Sequence, residues 1–159
     1  MEHETFLRRA IELAAQARDQ DLDPYGAVLV HNGEIVHEVT DHCMILGDPT
    51  AHAEMYCIRD YCMAQGVFDL TGYALYASTE PCPMCSGAIH WSRISTVVYS
   101  VSQAMLQSLS GGSPKLPCRV ILNVERVNVI GPLLPDEGRR VFDGFEFIPK
   151  RDRYSNSKS

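Results

Sequence analysis

Two short motifs in this 159-residue chain indicate a metal site. The first is the pair Cys82 and Cys85 within the run Pro81–Cys85, and the second is His52, followed two positions later by Glu54. Two cysteines three apart share one face of a helical turn, and a histidine can add a third ligand, so the set suits zinc. A structural zinc has four protein ligands, whereas a catalytic zinc keeps one position open for water. Three ligands therefore predict a catalytic metal, with Glu54 beside the open position as a general acid/base.

The spacing of His52 and Glu54 restricts where such a metal can lie. On a helix, residues two apart point about 200° away from each other. The two side chains converge only if the metal lies beyond the helix N-terminus, and Asp48-Pro49-Thr50 supplies residue types common at such a start. Cys82 is likewise predicted to open a helix, where the positive end of the helix dipole favours the thiolate. Two helix N-termini are therefore predicted to face one metal.

Each motif alone has a plainer interpretation. A Cys-x-x-Cys can be a redox pair, and a lone His-x-Glu carries little information. Together, His-x-Glu followed by Pro-Cys-x-x-Cys is the signature of zinc-dependent deaminases. The sequence resembles the cytidine deaminase superfamily from about Tyr25 to Phe142, and within it the branch of guanine deaminases and tRNA adenosine deaminases. The resemblance is almost residue for residue in Asp48–Glu54, Glu80–Ile89 and Trp91–Ile94.

This resemblance implies a reaction and a role for each motif residue. One zinc ion per chain would be held by His52, Cys82 and Cys85. A zinc-bound hydroxide would attack an amino-substituted aromatic ring, and Glu54 would carry protons from the water to the ring and to the departing ammonia. The backbone N–H of Ala53 would donate a hydrogen bond to the substrate ring.

Two further residues are predicted to contact the substrate, each with an alternative. The resembling deaminases typically have asparagine where this chain has Asp41, and an ionised carboxylate accepts hydrogen bonds but donates none. Asp41 would favour a substrate with a donor, unless it serves only its own loop. Trp91 would stack on the ring, or else pack behind the zinc helix. The acidic residue that guanine deaminases carry after the fourth strand is replaced here by Gly111–Ser113, so the resemblance does not fix guanine as the substrate.

Charge and composition bear on partners and location. A formal net charge of −6 and a pI near 5.4 make a nucleic-acid partner unlikely in this prediction, because binding phosphates usually requires a basic face. The basic residues of 150–159 are predicted to form a flexible, frayed tail. Six cysteines without a secreted pattern, with no signal peptide and no apolar run of about 18 residues, predict a cytoplasmic protein outside the membrane.

Hydrophobic periodicity predicts one domain over residues 1–149. Its fold class is α/β, a three-layer α/β/α sandwich with a central mixed five-stranded sheet, which is the cytidine deaminase-like fold that the resemblance implies. Strands are predicted at 26–30, 34–39, 73–77, 96–99 and 126–130, and helices at 4–20, 52–64, 82–91 and 132–142. Asn32-Gly33 predicts a tight hairpin between the first two strands. Residues 102–116 show no clear pattern.

Three functions remain open at this point. The favoured one is a zinc-dependent hydrolytic deaminase of a free nucleobase or related small amino-heterocycle, with guanine as a candidate substrate. The second is a tRNA adenosine deaminase, and the third is a non-enzymatic module stabilised by zinc. The resemblance also implies a homodimer, and we expect its symmetric interface to shape the mouth of the site.

Overall fold

The computed structural model describes residues 2–157, and its centre is one five-stranded sheet with strand order β2-β1-β3-β4-β5. The strands are β1 (Gly26–His31), β2 (Glu34–Thr40), β3 (Ala74–Thr79), β4 (Thr96–Val101) and β5 (Asn128–Ile130). β1 is antiparallel to both β2 and β3, whereas β3, β4 and β5 are parallel to one another. The predicted mixed sheet is confirmed.

Helices lie on both faces of this sheet. They are α1 (Glu2–Asp19), α2 (Cys43–Leu46), α3 (Ala53–Gln65), α4 (Pro83–Ser92), α5 (Gln103–Ser110), α6 (Cys118–Ile121), α7 (Pro135–Arg140) and α8 (Lys150–Ser157). Apolar residues of α1 such as Leu7 and Ala10 are buried in one cluster with Val28 and Val98 of the sheet. Residues of α3, α4 and α6, such as Cys57 and Ile89, belong to the cluster on the other face. The predicted three-layer α/β sandwich is therefore confirmed.

Local sequence signals set several element boundaries. Asn32 and Gly33 both have positive φ, as a type I′ turn requires, and they join β1 to β2 as predicted. Gly66 ends α3 in the left-handed conformation, again as predicted. Gly26 allows β1 to pack closely against α1, because a Cβ there would overlap the backbone of Ala10.

Other boundaries differ from the prediction. The short helices α2, α5 and α6 lie in segments that the sequence left as loop or unassigned, and β5 and α7 are shorter than predicted. α5 forms because the Ser102 hydroxyl accepts a hydrogen bond from Met105 N–H at 3.1 Å, and Gly111 ends the helix in the left-handed conformation. His52, and not Asp48, is the N-cap of α3.

The C-terminal segment contains a helix that the sequence did not predict. α8 lies where a frayed tail was expected, and Arg153 donates hydrogen bonds to the Asp23 carboxylate and to the Asp21 carbonyl oxygen. The Arg153 and Asp23 side chains are only 16% and 7% exposed. The last two positions of the predicted tail, Lys158 and Ser159, lie outside the described residues. Within 2–157, none of the helices is both long and apolar enough to cross a membrane.

Candidate active site

Three predicted metal ligands come together at the N-termini of two helices. His52 is the N-cap of α3 and Cys82 is the N-cap of α4, while Cys85 lies in the first turn of α4. Their ligand atoms all lie within 4.8 Å of one another. This is the arrangement that the His-x-Glu spacing required, with the metal position beyond the end of the helix and not along its side.

The distances within this metal group fit zinc. The Nδ1 atom of His52 lies 3.4 Å from Cys82 Sγ and 3.7 Å from Cys85 Sγ. Tetrahedral zinc with ordinary Zn–N and Zn–S bonds places nitrogen and sulfur about 3.6 Å apart. One nitrogen and two sulfurs are also a donor set that zinc prefers, so the residues present can hold the ion and leave one position for a small molecule.

The two thiols of the metal group have pKa values shifted in opposite directions. A hydrogen bond from the Cys85 thiol, with help from His52, lowers the pKa of Cys82. The same bond and burial raise the pKa of Cys85. One thiolate is thus favoured even before a cation is added, and its position at a helix N-terminus adds to this preference.

Glu54 lies beside the metal group without belonging to it. Its side chain is 6% exposed, and its Oε2 atom is 3.5 Å from Cys85 Sγ. Burial raises the pKa of Glu54 to about 7, against the lowering effect of nearby His52. A carboxyl group with such a pKa can both take up and release a proton near neutral pH.

Ala53 and Asp41 stand at different places around this centre. Ala53 is fully buried and is the first residue of α3, so its N–H has no acceptor within its own helix. Asp41 lines the cavity and is 1% exposed. Its Oδ1 atom accepts a hydrogen bond from Cys43 N–H at 3.0 Å. Asp41 therefore makes the contact expected of a residue that serves its own loop, and it also lies in the cavity wall as expected of a residue that contacts substrate.

The structure does not bring Trp91 to this centre. The side chain is 77% exposed and is not among the residues that line the cavity, so it neither packs in the core behind the zinc helix nor stacks within the cavity of its own chain. The reason is helical geometry: Trp91 is two positions after the buried Ile89, so it points about 200° away from the core-facing side of α4.

A cavity of about 380 Å³ adjoins the metal group. His52, Glu54 and Cys82 form its inner end, and Tyr25 and Asp41 lie on the β1–β2 side. A second wall comes from the segment 103–118, which we call the cavity-wall loop; its lining residues are Gln103, Leu106, Ser110, Gly112 and Lys115. The volume falls in the range usual for small-molecule sites.

The outer wall is formed by residues 145–149, which we call the C-terminal strap. Phe145, Phe147, Ile148 and Pro149 of this strap line the cavity. The Phe145 and Phe147 rings meet edge to face with centroids 5.1 Å apart, and Phe147 stacks on Phe142. The strap leads directly into α8, which the Arg153–Asp23 ion pair joins to the body of the domain.

Acidic side chains predominate among the charged groups that line the cavity. Asp23, Asp41, Glu54 and Glu80 are all buried there, whereas Lys115 is the lysine among the lining residues. The Glu80 carboxylate accepts from the N–H groups of Gln103 and Cys118 and so belongs to the protein framework. The remaining lining favours ligands rich in N–H donors over phosphates.

The walls of this cavity were not predicted from the sequence. Glu80 belongs to the stretch Glu80–Ile89 that carries the family resemblance, but no role was predicted for it. Most of the cavity-wall loop showed no clear sequence pattern. The alternating Phe145-x-Phe147 could have been noted as a two-sided aromatic segment, but nothing nearby indicates that it lies across from residues 41–54.

Comparison with known proteins places the two motifs in a family. A family model described as the cytidine and deoxycytidylate deaminase zinc-binding region matches residues 1–101. Guanine deaminase of Bacillus subtilis is 46% identical over 101 residues, covering 63% of this chain and 65% of the relative. Its X-ray structure has a TM-score of 0.65 at 42% identity, covering 68% of this chain and 69% of that one.

Two other relatives bear different names. The tRNA-specific adenosine deaminase of B. subtilis is 42% identical over 96 residues, which is 60% of each chain. A probable cytosine deaminase of Schizosaccharomyces pombe is 35% identical over 147 residues, covering 88% of this chain and 90% of the relative. The chain thus spans just under two thirds of the length of the B. subtilis guanine deaminase and most of the length of the S. pombe probable cytosine deaminase. With the family model covering more than half of its length, this chain belongs to the zinc-binding family of cytidine and deoxycytidylate deaminases.

Proposed function

We propose that this protein is a zinc-dependent hydrolytic deaminase of a free nucleobase or related small amino-heterocycle, with guanine as the first candidate. The observation that carries the proposal is a buried carboxyl, Glu54, beside a three-ligand zinc group at the inner end of a small cavity. A purely structural zinc would need neither the open coordination position nor an acid/base at its side.

His52, Cys82 and Cys85 hold the zinc in this mechanism, and Glu54 moves the protons. When bound, the zinc lowers the pKa of a coordinated water and so supplies the nucleophile. Glu54 would take one proton from that water and donate it to a ring nitrogen of the substrate; it would then take the second proton from the hydroxyl added to the ring carbon and donate it to the amino group, which leaves as ammonia. Burial raises the pKa of Glu54, which favours a carboxyl that both takes up and releases protons.

Asp41 and the Ala53 N–H orient the ring. Asp41 accepts a hydrogen bond from an N–H or hydroxyl of the substrate, and its contact with Cys43 fixes the carboxylate in the cavity wall. The Ala53 N–H supplies a donor at the start of α3. A donor such as Ala53 N–H and an acceptor such as Asp41 together select heterocycles that offer both types of group.

The small volume and the lining of the cavity support a small substrate over a nucleic acid. The C-terminal strap covers the site with Phe145 and Phe147, and Arg153 is engaged with Asp23 and Asp21 instead of extending to a phosphate. The acidic lining and the net charge of −6 act in the same direction, because both repel phosphates. The names of the B. subtilis guanine deaminase and the S. pombe probable cytosine deaminase agree with a free base.

A tRNA adenosine deaminase is the second candidate, and the comparisons give a specific reason for it. The B. subtilis tRNA-specific enzyme matches at 42% identity, close to the 46% of the guanine deaminase. Binding of RNA would require the C-terminal strap to move aside, so that an extruded adenine could reach the metal group.

We propose in addition that the protein forms a homodimer. Three large apolar side chains, Met63, Phe68 and Trp91, are between 77% and 90% exposed. They lie near one end of the α3–α4 layer, where Leu70 N–H donates to the Ser92 carbonyl at 2.7 Å. An exposed apolar group of this kind is typical of an interface with another protein. Sedimentation of a purely monomeric active enzyme would contradict the dimer.

The test of the proposed function is ammonia release by the zinc-loaded protein. The panel should contain guanine, adenine, cytosine, isocytosine, aminotriazines, pterins and the corresponding nucleosides. We expect turnover of at least one free base or small heterocycle, and none by the Glu54→Gln protein at the same zinc content. Wild-type protein that is fully loaded with zinc and inert toward the whole panel would contradict the proposal.

A further inference from the structure

Glu80 connects the metal-binding motif to the cavity-wall loop. It directly precedes Pro81 and Cys82 in sequence, and its side chain is 4% exposed. Glu80 Oε2 accepts a hydrogen bond from Gln103 N–H at 2.8 Å, and Oε1 accepts one from Cys118 N–H at 2.7 Å. One buried carboxylate therefore binds the first and the last residue of the loop.

The main chain of Glu80 reinforces the first of these contacts. The Gln103 side-chain amide donates to the Glu80 carbonyl oxygen at 2.6 Å, and Glu80 N–H donates to the Val101 carbonyl at 2.7 Å. Both loop ends are helix starts, since Gln103 begins α5 and Cys118 begins α6. A carboxylate is favoured at such N–H groups because they carry the positive end of the helix dipole.

The middle of the loop has no buried residue to fix its position. Residues 111–117 are all exposed, and they include two glycines and two prolines. Cys118, where Glu80 binds, is completely buried. Segments with few buried contacts open at low cost, so the position of this wall depends on how its two ends are fastened.

We propose that Glu80 is a positioning residue for substrate binding, which fastens both ends of the cavity-wall loop to the metal motif and thereby sets the wall formed by Gln103, Leu106 and Lys115. The effect of Glu80 on catalysis rests on the proposed function. The attachment of the two loop ends to Glu80 rests on the structure alone. It assigns Glu80 no contact with zinc and no proton transfer.

Glu80→Gln separates these roles because it keeps the shape of the side chain. The amide offers one acceptor oxygen, but its NH₂ group would face the second backbone N–H, donor against donor. One end of the loop is then released while the cysteines keep their places. Glu125→Gln is the matched control, since Glu125 is exposed and its substitution removes the same charge from a surface site.

Amide hydrogen exchange of the zinc-loaded proteins tests the fastening without any substrate. We expect the Gln103 or the Cys118 amide to exchange at least about tenfold faster in Glu80→Gln. Trypsin should also cleave after Lys115 faster, with zinc content unchanged and the Glu125→Gln protein like wild type. Unchanged exchange at both amides, or loss of zinc from Glu80→Gln, would overturn the proposal.

Steady-state kinetics on the best substrate of the panel tests the consequence. We expect KM to rise about tenfold in Glu80→Gln while kcat stays within about threefold, because the loop contacts the substrate and not the reacting proton. A KM equal to wild type, despite faster amide exchange, would overturn the positioning role. Wild-type protein without activity would instead refute the proposed function. The exchange data would still show whether Glu80 holds both ends of the cavity-wall loop.

If Glu80→Gln does not fold, amide exchange in the wild-type protein tests the proposal. Gln103 and Cys118 should then exchange together and much more slowly than residues 111–116 between them, as expected for one cooperative unit. Exchange of both amides at the rate of that exposed stretch would overturn the proposal.

Discussion

The inner end and the outer walls of the cavity are built in different ways. At the inner end, His52 and Cys82 are helix N-caps within short motifs, and Glu54 follows directly in the first turn of α3. The outer walls come from the cavity-wall loop and the C-terminal strap, which buried carboxylates far away in sequence, Glu80 and Asp23, hold in place. The reacting groups are therefore placed by short motifs at helix N-termini, whereas the walls that would select the substrate are placed by contacts between residues distant in sequence.

Mutations at the two regions should therefore have different signatures. Changes at the inner end should remove turnover, whether through the metal or through the proton carrier. Changes in the walls should alter the apparent affinity and the choice of substrate, while the metal stays bound.

Replacing a metal ligand should abolish activity. In His52→Ala, Cys82→Ala or Cys85→Ala, we expect zinc content and turnover to fall together to background, with a lower melting temperature because metal binding contributes folding free energy. Elemental analysis, ammonia release and thermal unfolding measure the three effects. Cys62→Ala is the cysteine control, since Cys62 is half-buried in α3 and should keep both zinc and turnover. Stoichiometric zinc in both the Cys82→Ala and Cys85→Ala proteins would exclude this site.

Glu54→Gln should retain zinc and lose turnover by about a thousandfold or more. General acid/base groups typically supply about 10²–10⁴-fold, and Glu54 is proposed to act at several steps. The measurement pairs kcat with zinc content, and Glu34→Gln, at an exposed position of β2, is the control. Near-normal turnover, or loss of the metal, would show that Glu54 has been given the wrong role.

Asp41→Asn should reduce kcat/KM for the best small substrate about ten- to a hundredfold, with zinc unchanged. A buried donor of the substrate loses a charged acceptor, whereas the amide oxygen can still accept from Cys43 N–H and preserve the loop. The exposed Asp19→Asn is the control. Identical kcat/KM values for every active substrate would mean that Asp41 serves only its loop.

Arg153→Gln should have the smallest effect, a rise of KM by about threefold to tenfold with kcat little changed. The substitution removes the cation that faces the buried Asp23 carboxylate, and the chain can relieve this cost by detaching α8 and loosening the C-terminal strap. Arg151→Gln, at an 86% exposed side chain, is the control. A KM equal to wild type, with unchanged hydrogen exchange in 145–153, would show that the strap does not depend on this ion pair.

The parts of the structure that local rules determine were predictable from the sequence. The mixed sheet follows from buried apolar runs such as 26–30, the first hairpin from Asn32-Gly33, and the metal group from motifs whose spacing leaves one geometric solution. The end of α3 followed from Gly66 in the same way. In each case the signal lies within one short stretch of sequence, although the strands and the two halves of the metal group meet across longer separations.

The remainder depends on partners that the sequence does not place next to each other. α8 was missed because it is stabilised through Arg153 by Asp23, 130 positions earlier. The cavity-wall loop has the composition of an irregular segment, and its shape depends on Glu80. Trp91 was predicted to stack on the substrate ring or to pack behind the zinc helix, whereas the turn of α4 directs it outward.

The central claim is that the inner end performs a deamination and the walls restrict it to small rings. Its most direct test is a competition assay with zinc-loaded wild-type protein, the most active small base of the panel, and an adenosine-containing tRNA anticodon stem-loop. The account predicts a kcat/KM for the small base at least about a hundredfold above that for inosine formation in the RNA. Inosine formation at an equal or higher kcat/KM would contradict it.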